Sequence, residues 1–244
     1  MKPLLLALET ATDVCSVALF ADEILCFEVI LQRGRVHAEQ LVPLIANALE
    51  RCERQATELD AVVVSMGPGS YTGLRVGVST AKGLAEATGA ALIGVPTLEA
   101  LAASVTPYAA PRDIVIPLLN SRRTEVYTAA YQIKADGTLH PLTEPVALEA
   151  TAVPDWMPHP DRPAHTWLVG EGVRRVAAHL PTSATTFRML NPAQHNLRAF
   201  WVGWLGLERY RSQRFEDVAA FEPFYLKDFV AKPHQDTSIA SLSS

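Results

Sequence analysis

The sequence lacks the features that mark membrane and disulfide-stabilised proteins. No apolar run reaches the length of a membrane span, and the opening run from Leu4 to Leu8 is too short for a signal peptide. The three cysteines show no CxxC spacing, which is typical of reduced thiols in a cytoplasmic protein. We therefore expect a cytoplasmic protein that has no contact with membranes.

Signatures of catalysis and metal binding are missing as well. No two of the seven histidines are three or four residues apart, and the sequence contains no HExxH motif. It contains no GxSxG motif either, and no cysteine follows a cationic helix start. We therefore predict no metal site and no nucleophilic active site.

Positive charge is not in excess. The net charge is −5, and the surplus of acidic residues falls within the first 110 residues. An acidic chain is poorly suited to holding nucleic acid through its phosphates. Any role with nucleic acid is therefore expected to be indirect, through a partner.

Apolar periodicity predicts an α/β protein with two lobes, 1–105 and a smaller 106–232, and a disordered tail at 233–244. The last helix is expected to pack back on the first lobe. Thr97 is a candidate N-cap, and Gly89 is placed to end the predicted helix 73–88 in the left-handed conformation. The predicted strands are 4–9, 14–20, 24–31, 61–66, 91–95, 114–119, 125–133 and 167–169, and the predicted helices are 37–54, 73–88, 97–104, 173–180 and 196–211, with a loop over 141–163.

One glycine-rich stretch, residues 65–89, stands out. It reads SMGPGSYTGLRVGVSTAKGLAEATG, in which Gly67, Gly69 and Gly73 are spaced one residue wider than a dinucleotide fingerprint, and no Walker lysine follows. A glycine turn between a strand and a helix can present backbone N–H groups to an anion. The alternative is a tight turn in which Pro68 restricts the backbone conformation.

The helix predicted after this turn carries a ridge of small residues. Gly73, Gly77, Ala81 and Ala85 are four residues apart and therefore share one face. Such a ridge allows unusually close approach of another helix. Two interpretations remain open at this point: packing against the first helix of the same chain, or a contact between chains.

Five segments together resemble the TsaB (YeaZ) family, and they occur in the family's order. They read LALETATDVCSVAL, HAEQLVPLI, SMGPGSYTGLRVGVSTAKGLA, IGVPTLEALA and EPFYLK. The resemblance implies the actin-like ATPase fold (sugar kinase/Hsp70-type, ribonuclease H-like), with two lobes that each hold a mixed β-sheet flanked by helices. It also implies a non-catalytic subunit required to form N6-threonylcarbamoyladenosine at adenosine 37 of tRNAs that read ANN codons.

Two positions distinguish the chain from the catalytic paralogue of that family, TsaD. The segment matching VPTLEAL carries two metal-binding histidines in the paralogue, whereas this chain has Thr97 and Leu101 there. Leucine cannot ligate a metal, and a threonine hydroxyl is a poor substitute for imidazole. A further departure lies within the TsaB pattern, because Asn120 replaces the family's aspartate before Ser121 and Arg122.

The resemblance also implies partners. We expect a TsaD-like catalytic paralogue, a TsaE-like ATPase, and a homodimer when the chain is alone, with tRNA contacted only indirectly. The partner interface is predicted at Gly73, Leu74, Val76, Gly77, Thr80, Ala81 and Leu84.

Nucleotide binding stays open as a weaker interpretation. The chain is expected to have no cofactor of its own, with ATP as a ligand within the assembled complex. The alternatives are an active nucleotide-dependent enzyme of the same fold, a kinase or metalloprotease, and a stand-alone nucleotide-binding regulator. The candidate nucleotide-binding residues are Thr10, Thr12, Gly67, Gly69, Gly170 and Gly172.

Overall fold

Two β-sheets of matching strand order form the frame of the protein. The computed structural model describes residues 2–34, 36–158, 165–181, 187–190 and 197–227. The first sheet consists of β1 (Leu4–Glu9), β2 (Cys15–Ala21), β3 (Ile24–Leu31), β4 (Ala61–Gly67) and β5 (Ala91–Pro96), in the order β3-β2-β1-β4-β5. β1, β2 and β3 are antiparallel, whereas β4 and β5 run parallel to β1.

The second sheet repeats this arrangement. It consists of β6 (Ile114–Asn120), β7 (Glu125–Thr128), β8 (Tyr131–Ile133), β9 (Leu139–Pro141), β10 (Val146–Glu149), β11 (Thr166–Val169) and β12 (Phe187–Met189). The order β10-β7-β6-β11-β12 matches the first sheet strand for strand, and β8 and β9 extend it beside β6. Each half of the described chain is therefore one copy of the same topology.

Six α-helices in the described part of the chain build three layers around the two sheets. They are α1 (His37–Arg51), α2 (Tyr71–Thr88), α3 (Thr97–Ala103), α4 (Val153–Trp156), α5 (Val173–Ala177) and α6 (Ala199–Arg211). α1 and α2 cover the outer face of the first sheet, and α4 and α5 pack with the outer face of the second. α3 and α6 share a single apolar core with the facing sides of both sheets.

Alternation along the strands explains why both faces of the first sheet are covered. In β1 all six residues are buried. Leu6 and Leu8 face α1 and α2, while Leu5 and Ala7 face the central layer. Continuous apolar strands of this kind are expected where helices cover both faces of a sheet.

The structure confirms most of the predicted elements and corrects others. The predicted strand 125–133 is two strands, β7 and β8, and α5 ends at Ala177 instead of residue 180. The predicted loop over 141–163 contains β10 and α4. α6 begins at Ala199, because Leu197 and Arg198 of the predicted 196–211 helix are not helical; residue 196 and the predicted tail at 233–244 lie outside the described residues. Gly89 ends α2 with φ of 76°, as predicted for a left-handed helix end.

The predicted N-cap at Thr97 is wrong. Pro96 holds the N-cap position of α3, and the Thr97 side chain makes no cap hydrogen bond. Its hydroxyl oxygen instead accepts from the backbone N–H of Gly67 at 3.0 Å. The hydroxyl is therefore committed to the glycine-rich turn after β4.

α6 approaches the first sheet closely because two of its residues lack side chains. A Cβ on Gly203 would overlap the Phe20 ring, and one on Gly206 would lie 2.5 Å from Val63. The helix contacts β1 most extensively and β2 next. Among the described residues, none of the helices is both long and apolar enough to cross a membrane.

The start of α6 is anchored by side chains of the first sheet. The Ser16 hydroxyl oxygen accepts from the backbone N–H of Ala199 at 2.7 Å, and the Glu28 carboxylate accepts from the N–H of Phe200 at 3.0 Å. Both groups satisfy donors that a helix start leaves unpaired. α6 is therefore tied to the sheet by hydrogen bonds as well as by packing.

We predict that Ser16→Ala lowers the free energy of unfolding by about 1–3 kcal/mol, because it leaves the buried N–H of Ala199 unpaired. Urea denaturation followed by circular dichroism measures the change. Ser212→Ala, at the exposed end of the same helix, is the control and should change stability by less than about 1 kcal/mol. Equal losses for the two variants would contradict the anchoring role of Ser16.

Candidate functional site

The glycine-rich turn after β4 is filled by the protein's own backbone. A Cβ on Gly67 would overlap the carbonyl oxygen of Phe224, and one on Gly69 would overlap the carbonyl oxygen of Ala11. Gly67 also has φ of 121°, a conformation that L-residues rarely adopt. Glycine is required here so that other segments of the chain can come close.

The N–H groups of this turn are largely used internally. The N–H of Gly67 donates to the Thr97 hydroxyl at 3.0 Å, and that of Ser70 donates to the Ala11 carbonyl at 2.7 Å. The Ser70 hydroxyl accepts from the N–H of Gly73 at 3.3 Å. A polyphosphate loop needs such N–H groups to point at the ligand. The turn therefore does not fit a polyphosphate, and the anion-binding interpretation gives way to the tight turn.

The two positions at which the resemblance implies metal ligands in the catalytic paralogue lie in the interior. Thr97 and Leu101 are both fully buried, and Leu101 belongs to the core between the sheets. Within the described ranges, no three His, Cys, Asp or Glu side chains converge in a way that could hold a metal ion. These two positions therefore serve the packing of α3 and the glycine-rich turn.

The small-residue ridge of α2 faces the chain's own interior, which corrects the predicted interface. A Cβ on Gly73 would overlap the Thr10 carbonyl oxygen, and one on Gly77 would overlap the Thr10 hydroxyl. Leu74 and Ala81 are also buried. The physical reason is that α2 starts directly over the turn that follows β1, and only residues without bulk fit there. Gly73 and Gly77 thus pack on the Thr10 turn, whereas Ala81 and Ala85 lie in the apolar core that α2 shares with α1.

The other face of α2 is accessible. Val76, Thr80 and Leu84 of the predicted interface are half-buried, and Ser79 and Gly83 beside them are exposed. A Cβ on Gly83 would have no atom within 4 Å. We call Val76, Ser79, Thr80, Gly83 and Leu84 the outer face of α2.

α1 packs beside α2 and continues this accessible surface. Its Val42 side chain is 61% exposed, and Pro43 and Ala46 are exposed too. These side chains are small or apolar and carry no charge. The outer side of the first lobe thus presents exposed small or apolar side chains on two neighbouring helices.

A cleft between the two sheets contains two cavities of about 480 and 650 Å³. Both are lined by Thr12, Asp13, Asn120 and Glu171. Gly69 lines the larger cavity and Gly170 the smaller one, whereas Thr10, Gly67 and Gly172 line neither. The structure thus brings only part of the predicted nucleotide-binding set to the cleft.

The Gly170 and Gly172 pair serves the packing of the second sheet. A Cβ on Gly170 would overlap the Leu118 carbonyl oxygen, and the N–H of Gly172 donates to the same carbonyl at 2.9 Å. This packing directs Glu171 into the cleft, where its carboxylate accepts from the N–H of Asn120 at 3.1 Å. Burial raises the pKa of Glu171, the hydrogen bond from Asn120 lowers it, and nearby Asp13 raises it further. Sequence reasoning recorded the two glycines but missed this carboxylate.

The segment 216–227, which we call the strap, was also missed as part of the site. The N–H of Glu216 donates to the Leu92 carbonyl on β5, and the N–H of Phe224 donates to the Met66 carbonyl at 2.7 Å. Lys227 then forms an ion pair with Glu125 of the second sheet. The EPFYLK motif was the available signal, although its spacing does not reveal what it contacts.

Glu9 is a buried carboxyl group below the cleft. It lies at the end of β1 with no exposed surface, and one of its oxygens accepts from the N–H of Ala11 at 2.6 Å. Burial raises its pKa from 4.5 to about 7, with backbone hydrogen bonds opposing the shift. Protonation of Glu9 therefore stabilises the folded state.

We predict that Glu9 makes the protein less stable as pH rises. Below pH 4.5 its contribution is fully present, and it is lost as pH rises through about 7, because the unfolded chain releases this proton first. Glu9→Gln should remove this dependence, so that the stability of the variant relative to wild type rises by about 3 kcal/mol across that window. Denaturant titrations at a series of pH values test this. Glu39→Gln, on exposed α1, is the control, and an unchanged pH profile for Glu9→Gln would contradict the prediction.

We also predict opposite effects for two glycines of α2. Gly77→Ala should destabilise the protein by about 1–3 kcal/mol, because its Cβ has no room beside Thr10. Gly83→Ala should stabilise it by about 0.5–1 kcal/mol, since alanine favours an exposed helix and meets nothing. Thermal unfolding of both variants measures the difference. Equal effects would place the two glycines in equivalent environments, contrary to the structure.

Comparison with known proteins agrees with this architecture. Residues 31–220 match the family model described as TsaD, tRNA N6-adenosine threonylcarbamoyltransferase. The tRNA threonylcarbamoyladenosine biosynthesis protein TsaB of Bacillus subtilis is 29% identical over 235 residues, covering 91% of this chain and 93% of that protein. The TsaB protein of Escherichia coli is 35% identical over 139 residues, covering 56% of this chain and 58% of that protein.

A solved structure confirms the predicted fold. YeaZ from Pseudomonas aeruginosa superimposes with a TM-score of 0.78 at 24% identity, over 92% of this chain and 100% of that one. The two mixed sheets with flanking helices are thus those of the actin-like ATPase fold. The chain belongs to the tRNA N6-adenosine threonylcarbamoyltransferase family and, within it, to the TsaB/YeaZ group.

Proposed function

We propose that this protein takes part in the formation of N6-threonylcarbamoyladenosine at adenosine 37 of tRNA as a non-catalytic subunit that binds and activates a TsaD-like catalytic paralogue. The observation that carries the proposal is what the side chains at positions 97 and 101 contact. The Thr97 hydroxyl accepts from Gly67, and Leu101 lies in the core. Neither side chain is free to hold a metal, so the chemistry falls to the paralogue.

The docking site in this proposal is the outer face of α2 together with α1. Ser79 and Gly83 are exposed, and Gly83 leaves open space where a side chain would stand. A second helix can approach closely over such small residues. The uncharged Val42 on α1 extends the contact, and its burial would add apolar area.

The same face would close a homodimer when the paralogue is absent. A two-fold symmetric contact uses one patch twice, and a single helix with small residues meets that requirement. A TsaE-like ATPase joins the complex, and the tRNA is held chiefly by the catalytic partner. ATP enters this proposal only as a ligand of the assembled complex, because the turn at Gly67 is filled by the chain's own backbone.

Gly83→Phe tests the docking site without disturbing the core. Because a Cβ at this position meets no atom within 4 Å, the variant should fold normally and yet hold a second helix away. We expect loss of both the homodimer and the heterodimer by size-exclusion chromatography with light scattering. Stimulation of tRNA modification should fall by at least about tenfold, as for a loss of about 1.4 kcal/mol or more in binding.

Ala178→Phe is the matched control, since Ala178 is an exposed residue at the end of α5 in the second half of the chain. It should leave both complexes intact. Survival of the complexes with Gly83→Phe would place the interface elsewhere. Full tRNA modification by the paralogue without this chain would contradict the activator role, and metal-dependent ATP hydrolysis by the chain alone would favour the active-enzyme alternative.

A further inference from the structure

The larger cavity of the cleft combines aromatic, amide and cationic side chains. We propose that it binds one nucleotide unit of single-stranded RNA, with the base inside the cleft and its phosphate on the Arg122 and Lys227 side. The choice of RNA as the source of this nucleotide rests on the proposed function in tRNA modification. The contact is direct and local, and the net charge of the chain does not predict it.

Tyrosines supply the stacking surface. The rings of Tyr71 and Tyr225 lie 5.1 Å apart at an angle of 33°, and Tyr225 is 38% exposed. Tyr127 on β7 lines the same cavity from the second sheet. Stacking on tyrosine accepts any base, because every base has a π-face. A platform for a planar ring is therefore formed by Tyr71 of α2, Tyr225 of the strap and Tyr127 of β7.

Two unpaired polar groups can read the edge of that ring. The Asn120 Oδ1 and the Ser121 Oγ are buried atoms without a hydrogen-bond partner in the described part of the chain. Both residues line the cavity. A carboxamide can donate and accept at once, which matches the N6 and N7 groups of adenine. Asn120 thus favours an adenine base, whereas the aspartate of the family pattern could only accept.

The charges lining the cleft set the orientation of the nucleotide. Asp13 and Glu171 line both cavities, at the place where the two meet, and they would repel a phosphate there. Arg122 and Lys227, the latter in its ion pair with Glu125, line only the larger cavity, and Arg75 lies 5.5 Å above the centre of the Tyr71 ring. The base is therefore expected near the carboxylates and the phosphate near the cations.

The glycine-rich turn argues against a free nucleoside triphosphate as the ligand. The N–H groups of Gly67 and Ser70 are already hydrogen-bonded within the chain, and the Ala11 carbonyl fills the space at Gly69. No polyphosphate cradle is available at this turn. One nucleotide of an RNA strand offers a base and a single phosphate contact. The rest of the strand would continue outward from the cleft.

Binding of fluorescently labelled short oligoadenylate RNA to the full chain tests this, measured by anisotropy with unlabelled ATP as competitor. We expect the logarithm of the binding constant to fall with the logarithm of the salt concentration at a slope of about −1, because only one or two phosphates are neutralised. Tyr225→Ala should weaken binding about tenfold through lost stacking. Tyr225→Phe should retain it, and Tyr108→Ala, an exposed tyrosine that does not line either cavity, should leave it unchanged.

Asn120→Asp gives an independent readout, because it leaves the tyrosines in place. It should remove the preference for oligoadenylate over oligouridylate without removing stacking. Absence of RNA binding, equal binding by Tyr225→Ala and wild type, or tighter binding of ATP than of oligoadenylate would each overturn the inference. Tyr225→Ala should still form the complex with the paralogue, so that failure of this inference is distinguishable from failure of the docking proposal.

Discussion

The structure depends on one backbone contact, between the turn that follows β1 and the start of α2. Gly69 and Gly73 have no side chains, and this allows the carbonyl groups of Ala11 and Thr10 to lie directly against them, while Gly77 leaves room for the Thr10 hydroxyl. The contact joins two neighbouring parallel strands, β1 and β4, at the edge where both end. This contact fixes the direction of α2. It thereby determines which face of the helix stays accessible to a partner.

Filling this turn changes what the cleft can do. In a nucleotide-binding protein the same strand–turn–helix unit offers N–H groups to a phosphate. Here Thr97 takes one of those groups and the Phe224 carbonyl lies over Gly67. The frame of two sheets is held together by a core that runs continuously from one sheet through α3 and α6 to the other. The outer face of α2 and the cavity beside the strap both stay open.

Much of the fold was predictable from the sequence, because apolar periodicity and turn residues act locally. The five strands of the first sheet, α2 and its end at Gly89 follow from such patterns, and the family motifs added the arrangement of two lobes. The short elements of the second half were harder: β10 and α4 lie in a proline-rich stretch whose composition indicates a loop. In those segments long-range strand pairing outweighs local preference.

The sequence by itself determined the family, the α/β class and the replacement of metal ligands by Thr97 and Leu101. Only the tertiary structure decided that the ridge of Gly73 and Gly77 faces inward and that the strap crosses the turn at Gly67. Helical spacing shows which residues share a face, but the direction of that face depends on what the rest of the chain packs against it. The glycines that suggest a ligand site in the sequence are contacts of the protein with itself.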